Sequence, residues 1–324
     1  MRSRVTAAVF LLLAASLVAV APASAVSTVP HTSKQVHHPL RFGPRHVRPA
    51  IGPGTPVGYI PCDVRGAYQV GAGATAGLDG RNMTIAIIDP FDQPTLISDL
   101  HSFDQALGVP DSPSQLTIDQ PFGPPPPPTD PSWLTEITLD VEWAHAMAPG
   151  AAIHLVEAVS PSISPPPGSG GDLGSAITWA VRNLNPDVLS MSFGGNETQL
   201  FKSAGDEATF NRYFPPTNAA GRPITYVASA GDASSVTEWP AVSTGVVGVG
   251  GTTLAPAAFG YPSQPGSHTT CSPTGTPGVT PDNERAWWGS LCSGAPCGTG
   301  GGPSAFEAKP GWQSLAPAGT RDSP

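Results

Sequence analysis

The 324-residue sequence predicts an α/β protein, a doubly wound parallel sheet with helices on both faces. Two observations carry that expectation. Short β-branched or apolar runs alternate along the chain with longer stretches whose apolar residues recur at helical spacing. Each stretch closes on a breaker, such as Asp89-Pro90, Ala148-Pro149-Gly150 or Gly194-Gly195, and there is no internal repeat.

The elements follow in order. Met83 to Ile88 is a β-branched run that reads as a strand, and Thr95 to Leu107 returns to helical spacing. Five consecutive prolines, Pro124 to Pro128, form an extended surface loop. Trp133 to Met147 is a helix stopped by Ala148-Pro149-Gly150, and Ala152 to Val159 is a strand. Asp172 caps a helix running to about Leu184. Asp187 to Phe193 is a strand, Leu200 to Phe214 a helix, Ile224 to Ala230 a strand, and Val246 to Val249 a short strand followed by two glycines. In such a sheet ligand sites lie at the carboxyl ends of the strands.

The first residues suggest export. Arg2 and Arg4 precede an apolar run from Ala7 to Val20 and then Ala23-Ser24-Ala25, the pattern of a signal peptide over residues 1–25. No later stretch is long and apolar enough to span a bilayer, so a secreted, soluble product is expected. Residues 26–56 hold His31, His37, His38, His46, Arg41, Arg45 and Arg48 among prolines with no apolar period, and read as a leader or linker. The folded domain then runs from 57 to 324. The chain as a whole combines 37 Gly and 40 Pro with 39% hydrophobic residues, as expected of a packed core surrounded by loops. With 12% charged residues and a net charge of −9, it offers nucleic acid no basic footprint. The four cysteines, Cys62, Cys271, Cys292 and Cys297, favour disulfides in an exported chain, with three connectivities open.

The chemistry concentrates in Glu136-Ile-Thr-Leu-Asp140, two carboxylates four residues apart on one face of the predicted helix. At that spacing two anions repel, so the pair makes sense where a proton is shared. One carboxyl then orients the other, which accepts a proton from a nucleophile. His145, nine residues beyond Glu136, reads as a packed or capping histidine, and Asp89 and Asp92 as residues that end the first strand.

The segment Glu136-Ile-Thr-Leu-Asp140-Val-Glu-Trp-Ala-His145-Ala-Met-Ala-Pro-Gly150 resembles the catalytic-helix signature of the sedolisin family, the serine-carboxyl peptidases of subtilisin-like fold. Three further segments carry the resemblance: Val188-Leu-Ser-Met-Ser-Phe-Gly194-Gly195, Tyr226-Val-Ala-Ser-Ala-Gly-Asp232 with Val247-Gly-Val-Gly-Gly-Thr-Thr-Leu254, and Gly300-Gly-Gly-Pro-Ser-Ala-Phe306 leading to Trp312-Gln313. The resemblance implies Glu136 as general base, Asp140 as the residue that orients it, and Asp232 as oxyanion-hole donor. It also implies that Ser190, Ser192, Gly194 and Gly195 line the substrate cleft. An aspartate can donate to an oxyanion only while protonated, and a carboxylate base works at low pH, where imidazolium could not accept a proton. The expected activity is therefore acid endopeptidase action on polypeptides, by a monomer.

Two departures from the family pattern stand out. The nucleophilic serine of the family's Gly-Thr-Ser-Ala-Pro segment is absent from these 324 residues, so the chain as given is expected to be truncated before it and inactive. The calcium ion implied by the resemblance would take its ligands beyond residue 324 as well. The leader, moreover, is far shorter than the family's folded propeptide. A secreted peptide-binding module that does not cut, or an inactive fragment, is the alternative. Glu136, Asp140 and Asp232 argue against it, since binding alone needs no repelling carboxyl pair.

Overall fold

A computed structural model describes residues 34–35, 60–68, 70, 77–111, 115–254, 284–292 and 295–313. All lie in one compact unit, Thr32–Pro324. The expected signal peptide and Cys271 lie outside the described residues.

The chain forms β1 (Lys34–Gln35), α1 (Pro61–Ala67), β2 (Thr84–Pro90), α2 (Leu96–Leu107), β3 (Leu116–Asp119), α3 (Ser132–Met147), β4 (Ala152–Ala158), β5 (Ser162–Ile163) and α4 (Leu173–Asn183). It continues through β6 (Val188–Met191), β7 (Gly195–Asn196), α5 (Glu197–Leu200), α6 (Ala204–Phe210), β8 (Thr225–Ser229), β9 (Glu238–Trp239) and β10 (Val247–Val249). Two hairpin-like pairs follow, β11 (Thr252–Leu254) with β12 (Glu284–Ala286), and β13 (Trp288–Cys292) with β14 (Ala295–Gly298).

The main sheet has six strands in the order β10-β8-β6-β2-β4-β3, every neighbouring pair parallel. The alternation of β2 divides the core. Ala86 and Ile88 point into a large cluster with Leu173, Ala176, Ile177 and Ala180 of α4. Ile87 points the other way, with Leu96 of α2 and Ile137 and Val141 of α3. Helices therefore cover both faces, as expected of strands that are apolar on both sides. No described helix is long and apolar enough to cross a membrane.

Most predicted elements are present within a residue or two. The helix predicted over Leu200 to Phe214 is instead broken into α5, α6 and a 3₁₀ turn at Asn211–Tyr213. Phe201 leaves helical conformation at ψ 156°, and Ser203 restarts the chain by accepting from the Asp206 N–H at 3.1 Å. The break lets Phe201 and Phe210 fold together against Trp239. In the stretch read as a leader, Lys34–Gln35 pairs antiparallel with β5, and the Lys34 ammonium bonds Asp206 at 3.0 Å and the Leu200 carbonyl.

Candidate active site

The site is assembled at the carboxyl edge of three adjacent strands. β2 ends with Asp89 and Pro90, β6 runs out into Ser192, and β8 is followed by Ala230, Gly231 and Asp232. Because β8, β6 and β2 are neighbours and parallel, these three ends lie side by side. Helix α3 runs back across the sheet to β4, and its apolar residues Ile137 and Val141 seat it on the face it covers. That seating fixes the rotation of Glu136 and Asp140, one turn apart on the same helix face.

Glu136 is 2% exposed and Asp140 half-buried. The Ser192 hydroxyl donates to Asp140 Oδ1 at 2.8 Å, and it also lies within hydrogen-bonding reach of the Glu136 carboxyl. Burial first, then the neighbouring charges of Asp140 and Asp232, push the Glu136 carboxyl up to about 9, with the Ser192 hydrogen bond opposing. Burial likewise raises Asp140 to about 7, again opposed by Ser192. The charges of Asp140 and Asp232 thus both act on the Glu136 carboxyl, and Ser192 contacts Asp140.

Asp232 itself is half-buried in the turn that follows β8. Its carbonyl accepts from the Gly298 N–H at 3.0 Å, and the Gly231 carbonyl accepts from the Gly300 N–H at 2.7 Å. The turn is thus held in place by β14 and the glycine-rich segment after it. Gly231 has φ +92°, a left-handed conformation that favours glycine.

Asp89 is read from the sequence as a strand terminator, yet it is fully buried, and neither carboxyl oxygen has a hydrogen-bond partner in the protein. Burial and the charges of Asp140, Glu136 and Glu157 hold its pKa well above the ordinary range. Glu157 stands opposite Asp89 on the neighbouring strand and accepts from the Gln120 side-chain amide at 2.7 Å. Asp89 is thus a buried acid beside the pair whose charged form is disfavoured. A second carboxyl that sequence reasoning does not find is Glu238. A Cβ on Gly194 would approach Glu238 Oε2 to 2.9 Å, and one on Gly231 would overlap the same carboxyl group, so Glu238 is wedged between two of the turns that build the site.

The remaining expected site residues fall as follows. Ser190 is a half-buried member of β6, whereas Gly194 and Gly195 are buried, with Gly195 paired to Trp239 of β9. His145 is packed, as its position in the helix suggests: 1% exposed, its Nε2 3.2 Å from Asp104 Oδ2 and 3.1 Å from the Pro110 carbonyl. Cys62 and Cys297 are both disulfide-bonded. Among the described residues no group of three or more His, Cys, Asp or Glu is arranged to hold a metal ion.

The subtilase family model matches residues 135–297, which is half of the chain and includes Glu136, Asp140, Glu157, Asp232 and Glu238. The chain belongs to the subtilase family. Within that family it is similar to kumamolisin of Bacillus sp. (strain MN-32), 30% identical over 281 residues covering 81% of this chain and 42% of kumamolisin. It is also similar to sedolisin of Pseudomonas sp. (strain 101), 27% identical over 296 residues covering 87% of this chain and 45% of that protein. The solved structure of Pseudomonas sedolisin, a serine-carboxyl proteinase complexed with two molecules of pseudo-iodotyrostatin, superposes with a TM-score of 0.60 at 27% identity. That match covers 83% of this subtilase and 69% of the sedolisin chain. The resemblance to the sedolisin group seen in the helix motif is thereby borne out, as is the doubly wound parallel sheet. The chain spans less than half the length of kumamolisin and sedolisin.

Proposed function

We propose that this subtilase is the base-and-oxyanion part of a secreted, acid-active serine-carboxyl endopeptidase. In this reading Glu136 takes the proton of an attacking serine hydroxyl, Asp140 orients Glu136, and protonated Asp232 donates to the oxyanion of the tetrahedral intermediate. The proton returns from Glu136 to the leaving amine, and a second cycle, with water in place of the serine, frees the acyl group. The nucleophile is expected on a Gly-Thr-Ser-Ala-Pro segment, which the 324 residues do not contain. The cleft floor is the edge from Ser190 to Gly195, whose backbone would hold an extended polypeptide.

The observation that carries the reading is the gathering of Glu136, Asp140, Ser192 and Asp232 at one strand edge. Three carboxyls clustered there would disfavour the fold of a mere binding module if they had to be ionised together, whereas a peptidase working in acid uses their protons. The test is hydrolysis of a denatured protein substrate at about pH 4 by the product of the complete reading frame, beside Glu136→Gln and Asp232→Ala. Loss of turnover in both variants with unchanged fold supports the assignment. Full activity in either removes that residue from the mechanism, and an inert wild type favours the peptide-binding alternative.

A further inference from the structure

The Ser192 side chain is expected to line the substrate cleft, but its hydroxyl turns inward to α3 and donates to Asp140 Oδ1 at 2.8 Å. A hydroxyl has one proton to give. While Glu136 is protonated its O–H can donate to the Ser192 oxygen, and once Glu136 is ionised the Ser192 hydroxyl can donate to it instead, the arrangement in which Ser192 opposes the raised Glu136 value. In the state with Glu136 protonated, the three groups can thus be joined in a chain, Glu136 O–H to Ser192 Oγ–H to Asp140 Oδ1, of which the second link is present in the structure.

We infer that Ser192 is a positioning residue of the acid pair, a hydroxyl bridge that favours the ionised form of Asp140 and links it to Glu136 by a path along which a proton can pass. This rests on the serine-carboxyl reading of the site. The surroundings make the bridge necessary. Among the described residues, every other titratable group facing the pair is itself acidic: Asp89 from β2, Glu157 behind it from β4, and Asp232 from the turn after β8. No described cation is resolved among the groups that influence Glu136 or Asp140, and Asp140 Oδ2 is buried without a partner in the protein. A neutral donor aimed at Oδ1 favours an ionised Asp140. A general base has to be able to shed its proton, so whatever favours ionisation of the pair extends its use toward lower pH. Passage of the proton along this path breaks the Glu136 O–H bond, breaks one O–H bond and forms another at Ser192 Oγ, and forms one at Asp140 Oδ1, so Glu136 is left as the carboxylate, Asp140 holds the proton and the serine is unchanged.

The test is a carboxyl titration of the chain with ¹³C-labelled Asp and Glu side chains, comparing wild type with Ser192→Ala and Ser192→Thr. Removal of the donor in Ser192→Ala is expected to raise the Asp140 midpoint by about one pH unit, as loss of one charge-assisted hydrogen bond should. Ser192→Thr retains the hydroxyl and is expected to restore the wild-type midpoint. If Ser192→Ala does not fold, Ser192→Cys fills the same space with a weak donor and is expected to shift the midpoint in the same direction. An Asp140 midpoint unmoved in the folded variant lacking the hydroxyl overturns the inference. This readout needs no turnover. Failure of the peptidase reading would appear as absent hydrolysis with the Ser192 effect intact, and failure of the bridge as hydrolysis with no titration shift.

Discussion

For the single residues at the strand edge, the proposed function turns on where their protons sit. In the proposed mechanism Asp232 and Glu136 need opposite states, a donor on one side of the reacting carbon and an acceptor on the other, and both are carboxyls. Removing one oxyanion donor typically costs on the order of 100-fold or more in rate, so Asp232→Ala is expected to lower kcat at least that far with little change in KM. Asp232→Asn separates donor from acid. An amide donates at every pH, so this variant should retain more activity than Asp232→Ala and lose less of it on moving from about pH 4 to about pH 6.5. A kcat/KM measurement at both pH values checks this, and an Asn variant as poor as Ala would argue against donation by the side chain. Asp89 shows the limit of reading a site from a string. Asp-Pro after a β-branched run has the pattern of a strand end, and it is one. Its burial against α3 depends on which helix lands there. Glu238 is hidden for the same reason, since its place is defined by two glycine turns distant in sequence.

Among the elements, α4 has the most explicit start signal, and the structure fulfils it. Asp172 is 2% exposed; its Oδ1 accepts from the N–H groups of Ser175 at 2.9 Å and Ser169 at 3.1 Å, and its Oδ2 from the Ser164 N–H at 2.7 Å. Loss of an N-cap typically costs about 1–2 kcal/mol. Asp172→Ala leaves the Ser164 and Ser169 donors without this acceptor as well, so it should reach at least the upper end of that range. Urea unfolding reads this as a lower midpoint at unchanged slope. A midpoint within experimental scatter of the wild type would mean that the cap is replaced. Caps and breakers of this kind make α2, α3, β4 and α4 legible in the amino-acid sequence. Shorter pieces are not. Leu116–Asp119 has four residues and no flanking alternation, and it becomes a strand because β4 offers it an edge. The break between α5 and α6 follows from Phe201 and Phe210 packing on Trp239, a contact that local spacing does not encode.

Across the molecule, buried carboxyls are a common theme. Burial raises Glu136 and Glu207 to about 9, Glu142 to about 8, and Asp140 and Glu157 to about 7. Beside Glu207, the charges of Glu197 and Glu307 add to the effect, and beside Glu142 those of Asp99 and Asp104. Each of these groups binds its proton more tightly folded than unfolded. Their contribution to stability is complete below the ordinary carboxyl pKa of about 4 and is lost as pH rises through the folded values of about 7 to 9. The thermal midpoint is therefore expected to fall between about pH 5 and about pH 8, and a flat or rising profile would contradict the buried-acid account. Stability and chemistry then favour the same conditions, although the groups involved only partly overlap. The most direct test of the central claim, a subtilase run by carboxyls in place of histidine, is the pH dependence of kcat/KM for the product of the complete reading frame between about pH 3 and 8. The account predicts activity confined to the acid side and abolished in Glu136→Gln. An optimum at neutral pH, or a Glu136→Gln enzyme that still turns over, would contradict it.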